Sequence, residues 1–276
     1  MTSDLLALMV APFLLCLVLT GIHAYLGLHV IAREVVFVDI ALAQIAALGA
    51  TVAFLAGFPL DSGPSYGFGL AATLLGALVL ALPRCRERRV SQEAVIGVVY
   101  VVSAAAAVLV VDRAPHGAEH LRSMLVGNVL AVGVGDVARI GALYAAIGAF
   151  HWWCRRPFLL ISLDPEAAFR ARWRVRVWDF LFYASFGVVV TSSVRVAGVL
   201  LVFSYLIVPA LAGLALGGPI GRRLAVGWGF GAAASVLGLL ASAWLDLPTG
   251  AAIACTFGVG LLPWWLAARR GAGLLS

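Results

Sequence analysis

The residues with the clearest potential for chemistry are few. His116, Glu119 and His120 fall in the run HGAEH. On a helix these three positions share one face, so two imidazoles and a carboxylate could meet one metal ion. The spacing is also the H-x-x-E-H of inverzincin peptidases. That chemistry requires a long helix, a third ligand and a substrate cleft, whereas this segment is short and contains a glycine. Three readings therefore stand: metal capture or gating, a membrane metallopeptidase, and a solvated polar turn. Asp39 lies in FVDIALAQIAALGATVAF, with Gln44 about one and a half turns further on. An ionisable group in an apolar segment is costly and marks a pathway by default. The alternative for Asp39 is a helix cap or a salt bridge to Arg33, and Arg33 and Glu34 themselves read as an interfacial pair. Asp136 and Arg139, three apart, read as a pair on one helix face. His23 and His29 are six apart, do not share a face well, and read as packed or interfacial side chains rather than ligands.

A second group sits between Ser162 and Gly213. Pro209 interrupts the apolar run FSYLIVPALAG, where it removes a backbone hydrogen bond and kinks the helix. Such breaks line the path in transporters, and Ser204 and Tyr205 just before it bring polar atoms. Upstream, Asp164 is a good N-cap, Pro165 suits the first helical position, and Glu166 faces the positive end of the helix dipole. A short helix is predicted there, running through Ala167, Ala168 and Phe169. Arg170, Arg172, Arg174 and Arg176 then alternate with apolar residues, a period that makes no helical face. This stretch reads as re-entry into a membrane. The charged segment is either a topology-setting loop or a docking surface for a soluble partner.

These residues must be held by membrane helices. The chain has 276 residues, 63% of them hydrophobic and 12% charged, with mean hydropathy +1.05. A soluble domain is nearer half apolar and a quarter charged. The fold class expected is an all-α, polytopic membrane protein with one integral domain over residues 1–276. The net charge is +6, and every basic residue is arginine. Without lysine there is no P-loop and no Schiff-base lysine. The arginines cluster at span ends, so nucleic acid is not the expected partner and membrane lipid is. Cys16, Cys85, Cys154 and Cys255 are scattered, which suggests no disulfide framework. No cleavable signal is read, because the first apolar run lacks a basic leader.

About nine spans are predicted, at 5–31, 35–58, 67–82, 94–111, 137–153, 180–194, 197–216, 224–245 and 249–266. A short apolar piece at 123–135 is too glycine-rich for a full span. Most arginines fall on one face: Arg33, the RCRERR run at 84–89, those in 155–176, Arg222, Arg223, Arg269 and Arg270. That asymmetry places the N-terminus outside, the C-terminus inside and the loop at about 155–178 in the cytoplasm. Gly227, Gly229, Gly231, Ser235 and Gly238 read as a helix-packing stripe, within the chain or at a homodimer seam.

Several of these segments together resemble a known family. LDPEAAFRAR and SSVRVAGVLLVFSYLIVPA are similar to the FDPEFARALG and VGxLLVxxLLIxPA patterns of the permease subunit of metal-ion ABC transporters, the zinc, manganese and iron type. IAREVVFVD resembles that family's RR-x-x-x-x-GD, QEAVIGVVY its D-x-x-IG-x-x-F, and LVGNVLAV its LFGDLLAV. The matches run in order from about residue 20 to 260. The resemblance implies a permease of a bacterial inner membrane that imports divalent zinc, manganese or iron. It implies no enzyme activity and no tightly bound cofactor in this chain, the metal being cargo. The implied partners are a second permease copy, cytoplasmic ABC ATPase subunits and an extracytoplasmic metal-binding protein. Asp164, Pro165, Glu166, Ala168 and Phe169 would dock on the ATPase. The family's GD-x-x-x-H supplies a carboxylate and an imidazole to the metal path. Here Asp39 takes the Asp position, Val38 the Gly position, and Ala43 the His position, or Gln44 with one residue inserted. Arg172 stands where the family's docking helix ends in Gly. With the ligand pair half replaced, His116, Glu119 and His120 become candidates for a substitute metal site. Rival readings are an ABC permease for a metal chelate, the metallopeptidase, and a purely structural subunit.

Overall fold

A computed structural model describes residues 3–59, 62–82, 91–112 and 127–273. Among these residues the fold is all-α. The helices are α1 (Ser3–Ala32), α2 (Val38–Leu55), α3 (Gly63–Ala81), α4 (Gln92–Val111), α5 (Val134–Trp153), α6 (Arg155–Leu163), α7 (Pro165–Arg170), α8 (Val175–Ala197), α9 (Val199–Ala215), α10 (Ile220–Leu245) and α11 (Thr249–Gly273). A single 3-10 turn covers Val129–Ala131.

Seven of these helices are long and apolar enough to cross a membrane: α1, α2, α3, α4, α8, α10 and α11. α9 is apolar but shorter, at 17 residues. α5 has 20 residues, and Asp136, Arg139 and His151 dilute its apolar character. The nine expected spans thus each correspond to a helix, two of them weaker as spans. The described part of the 123–135 piece is the 3-10 turn and the approach to α5.

Local chemistry sets the helix ends. The Ser62 hydroxyl accepts from the Ser65 N–H at 3.3 Å, and the Ser91 hydroxyl accepts from the Ala94 N–H at 3.2 Å. Each satisfies one of the donors that a helix start leaves free. Inside the helices, hydroxyls turn back onto their own turn. Thr20 donates to the Cys16 carbonyl and Thr51 to the Ala47 carbonyl, both at 2.7 Å. This removes polar groups from a hydrocarbon setting where they would find no water.

The chain forms two compact units. The first comprises Met1–Ile31, Leu125–Ala146 and Val196–Ser276. Here α9, α10 and α11 pack on one another. Gly27 of α1 lies against the Leu206 carbonyl of α9, and any Cβ would collide with it. Gly227 and Gly231 of α10 lie against the Pro209 carbonyl and ring. The proline-containing helix α9 is therefore closely embraced by small residues, as in other membrane helix pairs. Much of the Gly227–Gly238 stripe serves packing within this unit, while Gly229 faces open space.

The second unit comprises Ala32–Met124 and Ile147–Arg195. α2 packs on α3 and α4. α3 and α8 meet through Thr73 and Thr191, whose hydroxyls are 3.0 Å apart, and through Tyr66 and Ser192 at 2.8 Å. Cys16, Cys154 and Cys255 are free thiols.

Candidate functional site

The second unit holds the carboxylate singled out in the sequence. α2 begins where the Phe37 N–H donates to Glu93 Oε1 of α4 at 3.1 Å. Asp39 follows in the first turn, where the helix dipole favours negative charge. Its side chain is fully buried, and neither carboxylate oxygen makes a hydrogen bond among the described residues. A buried carboxylate without a partner is expensive. The geometry therefore disposes of the cap reading, since α2 has no side-chain cap bond.

The salt bridge to Arg33 is excluded as well, because that arginine is used elsewhere. Arg33 Nη1 donates to Asp179 Oδ1 of α8 at 2.6 Å, and both side chains are 0% exposed. Arg33 Nε donates to Ser162 Oγ of α6 at 2.7 Å. Its guanidinium also lies over the Phe182 ring, 3.9 Å from the centroid. The expected Arg33–Glu34 interfacial pair is thus corrected. Glu34 has φ +57°, a left-handed turn directly after Arg33. Sequence reasoning missed Asp179 altogether. The only available signal was a carboxylate in the first turns of an apolar span, in VRVWDFLF.

Gln44 does not stand beside Asp39. Five residues along a helix is a rotation of about 140°, and Gln44 is half-buried on another side. Ala43, one turn after Asp39, is buried and offers no ligand atom. His116, Glu119 and His120 lie outside the described residues. Among the described residues no three His, Cys, Asp or Glu side chains come together as a metal site.

In the first unit, Tyr205 is fully buried, and its hydroxyl meets Ser235 Oγ of α10 at 2.7 Å. Its ring stands edge-on to Phe257 of α11. Ser204 donates to the Leu200 carbonyl at 2.9 Å. Pro209 is buried in the packing already described. His23 bonds the Leu19 carbonyl and sits edge-on to Tyr144, and His29 packs on Tyr25. Asp136 and Arg139 do pair, at 3.8 Å, on a largely exposed surface.

The charged segment forms two short helices. α6, not anticipated from the sequence, is amphipathic. Phe158, Ile161 and Ser162 are buried, whereas Leu163 is exposed. Phe158 stacks on His151 of α5 and meets Trp178 and Phe182 of α8 edge-on. α7 is where the sequence predicts it. Asp164 Oδ1 accepts from the Ala167 N–H at 2.8 Å, and Pro165 opens the helix. Ala168 is buried against Ile161 and Val175, with Phe169 packed alongside. Asp164, Glu166 and Arg170 face outward, Arg170 lying 3.5 Å from Glu166 and 3.9 Å from Asp164.

α7 ends in a Schellman motif. The Arg172 N–H donates to the Phe169 carbonyl at 3.0 Å, and the Trp173 N–H donates to the Ala168 carbonyl at 3.1 Å. Arg172 holds φ +56°, the left-handed conformation that a glycine adopts without strain. Arg172→Gly is therefore expected to stabilise the folded chain by about 1 kcal/mol. Thermal unfolding in detergent micelles checks this, with no gain in midpoint counting against it.

The fold and site define a multi-pass helical membrane protein that carries a buried carboxylate, Asp39, with no hydrogen-bond partner among the described residues, and a pair of short helices with an exposed charged face. Residues 6–265 match the model of the ABC 3 transport family, and the chain belongs to it. It is 25% identical to a probable iron transport system membrane protein of Haemophilus influenzae, over 87% of this chain and 86% of that one. It is 26% identical to the manganese transport system membrane protein MntC of Listeria innocua, over 84% and 80%. Its fold matches PsaBC from Streptococcus pneumoniae, solved in complex with Fab, with TM-score 0.78 at 20% identity, covering 97% and 95% of the two chains. The chain is a multi-pass inner-membrane transport permease rather than an enzyme.

Proposed function

We propose that this chain is the permease subunit of an ABC importer for a divalent metal ion, zinc, manganese or iron. Family membership supports the transport class. Asp39 carries the reading of the cargo: a fully buried carboxylate with no hydrogen-bond partner among the described residues calls for positive charge. A passing cation supplies that charge transiently, which suits a path residue better than a resident partner would.

ATP would be hydrolysed by separate ATPase subunits bound to the outward face of α7, around Asp164 and Glu166. An extracytoplasmic protein would deliver the metal, and two permease copies would frame the path. The metal is cargo, so no cofactor is assigned to the chain.

Uptake of radioactive zinc, manganese and iron tests the proposal in cells that lack their own importers. The chain is expressed with its neighbouring ATPase and binding protein. ATP-dependent accumulation of at least one metal is expected. Accumulation of none, with the complex shown to be assembled, would overturn the proposal.

A further inference from the structure

We propose that Arg33 is a positioning residue that couples the α6–α7 hairpin to the segment carrying Asp39. The inference rests on the transport reading above and adds to it a route from the ATPase surface to the path. Ser162 is the next-to-last residue of α6 and stands two residues before the Asp164 cap of α7. Arg33 reaches it through Nε at 2.7 Å. Arg33 itself belongs to the short connection between α1 and α2, six residues before Asp39. Its Nη1 holds Asp179 of α8 at 2.6 Å.

One guanidinium therefore joins three pieces of the same unit: the end of the outward-facing hairpin, the start of α8, and the lead-in to the buried carboxylate. The Phe182 ring beneath it and the burial of both charges fix its plane. A guanidinium is suited to this because its donors are set in a rigid fork, so displacing one partner turns the others. An ammonium at the same place would pair with Asp179 but could not hold Ser162 in a fixed direction. The apolar face of α6, through Phe158 against Trp178 and Phe182, keeps the hairpin seated on α8 while this happens.

The test uses the full complex of permease, ATPase and binding protein in proteoliposomes, with manganese, zinc and iron as the cargoes tried. Two variants are compared with wild type. Ser162→Ala removes one acceptor and leaves the ion pair. Arg33→Lys keeps the charge and removes the fork. Metal moved per ATP hydrolysed is the readout, because a merely structural defect lowers both quantities together. Both variants are expected to assemble and to hydrolyse ATP within about twofold of wild type, while metal moved per ATP falls at least about tenfold. The assignment is overturned if that ratio stays within about twofold of wild type in both variants. A wild-type complex that hydrolyses ATP but moves none of the three metals overturns the transport reading, and the assignment with it. The wild-type arm alone distinguishes the two failures.

Discussion

Asp39→Asn is expected to lower metal uptake at least about a hundredfold, or about 2.7 kcal/mol of lost cation stabilisation, without lowering the stability of the folded chain. Asparagine has nearly the same shape, removes the charge and puts an NH2 donor in place of one acceptor oxygen. If the carboxylate served the fold, that change would break a hydrogen bond or ion pair. Neither oxygen makes a hydrogen bond among the described residues, and Arg33 is committed to Asp179. Neutralising an unpartnered buried charge removes a desolvation cost, so the unfolding temperature is expected to hold or rise. Uptake and thermal unfolding measured on the same preparation separate the two roles. Uptake within twofold of wild type, or a clear loss of stability, would return Asp39 to a structural role. Gln44→Ala serves as the comparison, since it lies round the helix from Asp39 and its loss is expected to cost far less.

What was legible in the sequence follows the range of the interactions involved. Spans are written in consecutive apolar residues, so all nine expected segments correspond to helices, with α5 diluted by its polar residues and α9 short. The start of α7 is equally local: Asp164, Pro165 and Glu166 define it within four residues, and the cap bond forms. Its end is also local, and Arg172 takes up the left-handed conformation at the position where the resemblance implies a glycine. α6 was missed because its Arg-Arg-Pro opening reads as a loop. Its apolar stripe, Phe158 and Ile161, spans only one turn. The Arg33 pairing was missed for the opposite reason. Its partners are 129 and 146 residues away, and nearest-neighbour reasoning chose Glu34 instead. Asp39 lay between, with its position legible but its lack of partners visible only in the fold.

Breaking the Arg33–Asp179 pair from either side is expected to cost about 3–5 kcal/mol of stability. Both side chains are 0% exposed, so removing one leaves the other charged in a setting with no water to receive it. Arg33→Ala also gives up the Ser162 hydrogen bond and the contact over Phe182, and should be the worse of the two. The double substitution Arg33→Met with Asp179→Leu removes both charges and fills much of the space. It should recover most of the loss, because apolar packing replaces a pair whose attraction largely offsets its own desolvation. The expected coupling between the two positions is therefore large, at least about 4 kcal/mol. Unfolding of wild type, Arg33→Met, Asp179→Leu and the double variant in the same detergent measures it directly. Single variants within about 1 kcal/mol of wild type would mean that water or another group reaches the site and solvates the orphaned charge. Strict additivity in the double variant would mean that each residue stabilises the fold on its own. Either outcome would also remove the rigid junction through which Arg33 is proposed to act, because a pair that can separate cheaply cannot transmit the movement of the hairpin.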